Sequence, residues 1–289
     1  MKQKLYGLVL VVYAASTLLF VIVSPVSDFS VSASDLAVLS LQTVYPEAMA
    51  ELAESADSGG KVKEKETDTG STEAVLVKDS EEKPEPVVFG DDPAVLILHT
   101  HATETYLPAS AGNYHAKGKE NSVRDVGEVL AKSLEEEGIA VVHDETLHDN
   151  PSYSSSYSRS YETISKLLDQ YPTIQCVIDL HRDATESDAA GAVLSIGGKT
   201  CSPYMYVVST SVPTYQSNLK FIKKLNSVAS SEYGGFTGSV LERGYAYNQG
   251  LSDKYLLLEF GNNRNRIEDV RNTARVYGKI LAETLKAGY

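Results

Sequence analysis

Residues 94–104 read AVLILHTHATE. Five apolar residues run into His99 and His101, and Glu104 follows three positions after the second histidine. An unbroken apolar run of this length suits a strand buried on both faces. Its polar end is either an ordinary strand terminus or half of a metal site, and the neighbouring segments decide between them.

Downstream, NSVRDVGEVLAKSLEEEGIAVVHDET (121–146) has Asn121 as a helix N-cap candidate. Val123, Val126, Val129, Leu130 and Leu134 share one helical face, Gly138 closes the helix, and 139–144 read as the next strand. The strand–loop–helix–strand unit then recurs. A helix stopped by Pro172 precedes the strand IQCVIDLH (174–181). Segments 191–198 and 203–210 read as a hairpin or two edge strands, with Gly197 and Gly198 in the loop. A helix over 214–233, the strand KYLLLEFGN (254–262) and a closing amphipathic helix complete the chain. This alternation predicts an α/β fold: a single domain over 93–289, with a central mixed, mostly parallel sheet flanked by helices. Neither a GxGxxG turn, a Walker loop nor an internal repeat is present.

Residues 5–26 contain no charged side chain, and Lys2 and Lys4 precede them. At about 1.5 Å per residue this run spans a hydrocarbon core of about 30 Å. Residues 1–27 therefore read as a transmembrane signal anchor, longer than the apolar core of a cleaved signal peptide. The flanking lysines put the N-terminus in the cytoplasm and the rest outside, as a single-pass protein of the cell membrane. Residues 28–92 read as an acidic, flexible linker: 51–92 alone carry thirteen acidic and five basic side chains. Of the total net charge of −13 this stretch holds −8, which leaves about −4 for residues 93–289. Such a domain lacks the basic face that nucleic-acid binding requires, and no nucleic-acid partner is expected. Cys176 and Cys201 make no CxxC motif; two buried thiols are the preferred reading and a single disulfide the other.

Three strand ends carry ionisable residues: LHTHATE, DLHRDA and LLLEFGNN. In open α/β sheets, sites form outside the carboxyl ends of the strands. His101, Glu104 and His181 would form a His₂Glu set, a zinc arrangement that leaves one position open and is therefore catalytic. Glu259 is then the candidate general base. Its alternative is an ion pair to Arg264 or Arg266. Arg182 and Asp183 flank His181, where they could bind a substrate carboxylate or orient the imidazole. Asn265 is a further substrate-binding candidate, and His99 is expected beneath the ligands as a packing or supporting group. An HxH site using His99 is the competing assignment. His115, His143 and His148 read as solvated loop residues, and Glu268 as either a helix-end acid or a site residue.

Taken together, ILHTHATETYLP, NSVRDVGEVLAKSLEEEGI with HDETLHD, DLHRDA, and YNQGLSDKYLLLEFGNNRNRIED resemble the stage II sporulation protein P family of peptidoglycan hydrolases. These are related to the zinc-dependent N-acetylmuramoyl-L-alanine amidases. The resemblance covers roughly 93–287, and an anchor with a long tether also fits it. It implies an amidase-like (phosphorylase/hydrolase-like) fold, Zn²⁺ on His101, Glu104 and His181, and a catalytic Glu259. The related amidases take a glutamate ligand from the start of the first helix. Here that position is Asn121, which makes Glu104 the substitute. The implied substrate is the amide between the muramic acid lactyl group and L-alanine, with peptide cross-links as an added target. The implied setting is engulfment during sporulation, with peptidoglycan stem peptides and glycan as ligands. A glycan-cleaving sporulation protein and a membrane scaffold would be partners. A zinc carboxypeptidase acting on wall peptides and a non-catalytic wall-binding scaffold are the rival readings.

Overall fold

A computed structural model of the chain describes residues 89–289. The expected anchor (1–27) and all but the last residues of the expected linker lie outside the described residues. Among the described residues no helix is long and apolar enough to cross a membrane.

The described chain builds eight strands and four α-helices. The strands are β1 Val95–Leu98, β2 Val141–His143, β3 Cys176–Asp183, β4 Leu194–Ile196, β5 Lys199–Cys201, β6 Tyr204–Ser209, β7 Ser239–Arg243 and β8 Tyr255–Asn262. The helices are α1 Val123–Glu136, α2 Ser156–Gln170, α3 Tyr215–Glu232 and α4 Ile267–Lys286. Six strands form one sheet in the order β2-β1-β3-β8-β6-β7, and β4 pairs with β5 apart from it. All neighbours in the large sheet run parallel except β6 against β8. The expected mixed, mostly parallel sheet is thus present.

Strand periodicity explains the layering. Val95 and Ile97 of β1 point into the larger core with α1, α3 and α4 side chains such as Leu130, Leu225 and Tyr277. Leu96 and Leu98 point the other way, into a smaller core with Ile164, Leu167 and Leu168 of α2. Both faces of β1 and β3 are covered, which is why their sequences read as continuous apolar runs.

Three details differ from expectation. Gly197 and Gly198, at φ +56° and +77°, make the tight turn of the β4–β5 hairpin, but β6 is not part of it. It lies inside the main sheet, between β8 and β7. Strand β7 was not expected, because SVLER is largely exposed and carries no apolar pattern. The N-cap of α1 is Ser122, not Asn121. Asn121 sits at φ +61° and its backbone N–H donates to Asp125 Oδ2 at 2.9 Å, so the acid in the first turn satisfies the entering chain. Both cysteines are free and buried.

Candidate active site

The carboxyl ends of β1, β3 and β8 lie side by side, because β3 is paired with both of the others. His181 is in direct register with Glu259 across β3 and β8. After β1 the chain turns sharply: the Glu104 N–H donates to the His101 carbonyl at 3.2 Å. This one turn brings the two side chains of the His-x-x-Glu step to the same place. Glu104 is then fixed from two sides. Its Oε2 accepts the backbone N–H of Arg182 at 3.0 Å and stands 3.6 Å from His181 Nδ1. The His101 and His181 rings meet edge-to-face with centroids 5.2 Å apart. His101 Nδ1 lies 3.3 Å from Ser156 Oγ at the start of α2, which leaves Nε2 as its other ring nitrogen. The predicted set His101, Glu104, His181 and Glu259 therefore occupies one cluster, largely removed from water.

Asp179 adds a residue that the sequence reading missed. It is fully buried two positions before His181, on the same face of β3. Its Oδ1 accepts from the Thr100 backbone N–H and its Oδ2 from the Thr100 hydroxyl, both at 2.7 Å. The same Oδ1 is 2.8 Å from His181 Nε2, but that nitrogen lacks an aligned hydrogen bond. We take the pair as an electrostatic contact. The available signal was an acid inside the apolar run CVIDLH, at strand period from the histidine.

The charges explain the proton affinities. Burial alone would lower His181, but the Asp179 and Glu104 carboxylates outweigh it and hold the imidazole well above its usual value. Burial would raise Glu104 and Asp179; their polar partners prevail, lowering Glu104 and bringing Asp179 down to about 2. His101 is pushed down to about 4 by burial and by neighbouring His181. Glu259 goes the other way, up to about 8, through burial and the repulsion of Glu104. Its Oε2 is buried without a hydrogen-bond partner. An acid near neutrality, with an orphaned oxygen, is poised to exchange a proton.

These features bear on a bound metal. Among the described residues, no three His, Cys, Asp or Glu side chains already converge as a ligand shell. Instead the donors pair with one another, Glu104 with His181 and His181 with Asp179. The donor chemistry nevertheless fits zinc: two imidazoles, a carboxylate, and the buried Glu259 Oε2, which has no hydrogen-bond partner. So does the charge, since the Glu104 and Asp179 carboxylates share a single cationic imidazole.

A sequence model of stage II sporulation protein P matches residues 26–282. The chain belongs to the stage II sporulation protein P family. The family's curated member from Bacillus subtilis (strain 168) is 28% identical over 218 residues, 71% of this chain and 54% of that protein. The chain thus spans about half the length of the curated relative it matches. Solved structures with a similar course include the N-acetylmuramyl-L-alanine amidase Ami1 from Mycobacterium smegmatis, 12% identical with a TM-score of 0.41, covering 68% of this chain and 99% of that one. The catalytic domain of the amidase CwlV from Bacillus (Paenibacillus) polymyxa var. colistinus is 13% identical with a TM-score of 0.37, covering 68% and 95%.

In this member of the family, several polar residues near the site are structural. The Arg182 guanidinium was expected to meet substrate. It is buried and donates to the carbonyls of Thr105 (3.0 Å), Asp183 (3.2 Å) and Tyr114 (3.0 Å), which pins the 104–114 loop to β3. Asn265, also expected at substrate, is buried. Its Oδ1 accepts the Asn262 N–H (2.9 Å) and its Nδ2 donates to Ala192 O (2.8 Å). Asp183 does not orient His181. A bulge between the two residues breaks the strand register and turns Asp183 outward, where it accepts the Ala184 N–H at 2.8 Å. His99 lies below the cluster, its Nδ1–H donating to Leu180 O (2.8 Å) and its Nε2 meeting His143 Nε2 at 2.9 Å. Because a carbonyl only accepts, His143 must be the donor of that second bond. His143 and His148 are consequently not solvated; His148 is buried between His99 O and the Thr163 hydroxyl. Arg264 pairs with Asp188 (2.6 Å) rather than Glu259, and Glu268 pairs with Arg271 and Arg275 on the outer face of α4.

Proposed function

We propose that this chain is a membrane-anchored, zinc-dependent peptidoglycan hydrolase that cleaves the N-acetylmuramoyl-L-alanine amide during engulfment. The observation that carries this reading is the buried Glu259 carboxyl, whose Oε2 has no hydrogen-bond partner, in register with His181 and under the charge of Glu104. Membership of the family supports the sporulation setting. His101, Glu104 and His181 would hold the metal. Bound zinc would polarise the scissile carbonyl and lower the proton affinity of an attacking water. Glu259 accepts the proton from that water and returns it to the departing alanine amine. Thr100 and Ser156 are positioning residues: the first fixes Asp179 behind His181, the second fixes His101. Burial excludes bulk water and keeps Glu259 basic enough to take a proton.

The carboxypeptidase reading requires an arginine free for a terminal carboxylate. The arginine beside the ligands, Arg182, is bound to three backbone carbonyls, which favours the amidase. The apolar run 5–26 and its flanking lysines support a single-pass anchor with this domain outside the cell, next to its glycan, its stem peptides and the other sporulation wall proteins. The test uses the full chain in detergent micelles. Mass spectrometry of digested wall should show intact stem peptides released by the wild type and not by Glu259→Gln. Elemental analysis should find one zinc in both. Free terminal amino acids would favour the carboxypeptidase; digestion unaltered in Glu259→Gln would defeat the enzyme reading.

A further inference from the structure

Six rings form an unbroken chain of contacts past the site: His115, Tyr153, His101, Tyr157, Tyr247 and Tyr245. Tyr153 lies flat on His101, with centroids 4.1 Å apart and planes 4° from parallel, and meets His115 edge-on at 5.9 Å. Tyr157 meets His101 edge-on at 5.5 Å and Tyr247 at 5.6 Å, and Tyr247 meets Tyr245 at 5.9 Å. One end of the chain is open to solvent, with His115 exposed and Tyr153 54% exposed, and the other ends at the half-buried Tyr245. Its middle member, His101, belongs to the reaction centre.

Two sets of bonds hold these rings from beneath. The Arg159 guanidinium donates to His148 O (2.5 Å) and to Ser152 O, fixing the loop that carries Tyr153. On the other side, Asn248 Nδ2 donates to Tyr157 O (2.9 Å) and lies 3.0 Å from Ser160 Oγ, fixing the loop that carries Tyr245 and Tyr247 to α2. That loop is strained. Tyr247 and Asn248 are consecutive non-glycine residues at φ +49° and +58°, and for a bulky side chain such a backbone is a true outlier. The next residue, Gln249, is buried and locked by Ser209 N–H (2.9 Å) and Val207 O (2.8 Å), so the surroundings over-determine the strained turn.

We infer that this aromatic rim is a saccharide-binding track, which seats pyranose rings of the glycan on both sides of the reaction centre. The inference deepens the proposed function and rests on it. The occupant is a sugar chain rather than a stem peptide for two reasons. The rim extends to both sides of His101, as a polymer continuing past the cut site requires. Its members are uncharged or weakly basic rings bearing hydroxyls, suited to a pyranose with one C–H face and polar edges rather than to an acidic peptide.

The test separates binding from cleavage. Calorimetry measures full-length protein in detergent against alternating N-acetylglucosamine–N-acetylmuramic acid oligosaccharides stripped of peptide, and in parallel against free stem peptide. Tyr245→Ala should weaken oligosaccharide binding about tenfold and leave stem-peptide binding unchanged. Tyr245→Phe, which keeps the ring, should bind as the wild type does. Tyr161→Ala, which alters an exposed tyrosine outside the rim, should have no effect. Melting temperatures exclude unfolding as the cause. The proposal is overturned if stripped glycan does not bind, if Tyr245→Ala binds it normally, if Tyr161→Ala weakens it equally, or if Tyr245→Ala weakens the peptide instead. Oligosaccharide binding with this pattern, in a protein that cuts no wall, would sink the amidase reading alone.

Discussion

Strand β1 is followed by two histidines two residues apart, and each faces another histidine in a different environment. His99 and His143 close on one another and on a backbone carbonyl, with no carboxylate in hydrogen-bond contact with His99. His101 and His181 meet edge-on among Glu104, Asp179 and Glu259. In the first pair, burial pushes both imidazoles down, His143 to about 4, so the pair is neutral and structurally complete. In the second, the carboxylates hold His181 up, and Nε2 of His181 lacks an aligned partner. The same residue type, two positions apart just beyond one strand, is a packing element in one case and a candidate ligand in the other. The surrounding charge decides which.

The sharpest way to break this comparison is at the second pair. Glu259→Gln should lower wall hydrolysis by about 10²- to 10⁴-fold in turnover assays while circular dichroism and zinc content stay unchanged. Equal loss from His143→Gln would erase the distinction.

Acid stability probes the first pair. His143 is lowered in the fold to about 4 from an ordinary 6.5. Its unfolded form therefore binds protons that the folded form refuses. Stability is full above pH 6.5, falls as pH drops, and levels off near pH 4, a loss of about 3 kcal/mol from this residue. Denaturant titrations across this window should show the slope reduced in His143→Gln; an unchanged slope would mean the pair titrates normally.

His99→Ala tests the two pairs against each other. It removes the partner of Leu180 O and of His143, at a cost of about 2 kcal/mol in unfolding free energy, yet should retain zinc. His101→Ala should show the reverse: little change in stability and loss of zinc. If His99→Ala loses zinc as fully, the site is of the HxH type.

The smallest effect is at Gly127, on α1 above the neutral pair. A Cβ there would stand 2.6 Å from His143 Nε2 and 2.7 Å from His99 Nε2. Alanine gains about 1 kcal/mol of helix propensity, but overpacking costs about 1–3 kcal/mol. Thermal melts should show a net loss, and a gain would indicate that the histidine pair is loosely held.

The layered α/β order was legible because buried parallel strands and amphipathic helices leave strong patterns at periods 2 and 3.6. Strand β7 was not, since SVLER lies at an exposed edge and its pairing depends on β6. The three strand ends were found because ionisable residues interrupt apolar runs. Arg182 and Asn265 misled because polarity near a site does not reveal whether a side chain faces substrate or a backbone carbonyl. Asp183 was misplaced because the mark of the bulge, Gly261 at φ +58°, lies on the neighbouring strand β8 and not beside Asp183 in the sequence. Tyr153, in the loop before α2, and Tyr157, in its first turn, gave no sequence signal of a site, and their contacts with His101 depend on a turn after β1 that sequence spacing does not specify.

The bulge after His181 also separates two kinds of freedom in this chain. Upstream, every β3 side chain from Cys176 to Arg182 is buried, so length and identity are fixed by neighbours on both faces. Downstream, residues 184–193 run mostly exposed, tethered by Thr185 N–H to Asn263 Oδ1 (2.7 Å) and by Gly191 N–H to Arg264 O (3.1 Å). Because the register is already broken, insertions or exchanges between those tethers do not propagate back to His181. The segment is a natural graft point, where loops of other lengths can be installed beside an unchanged reaction centre.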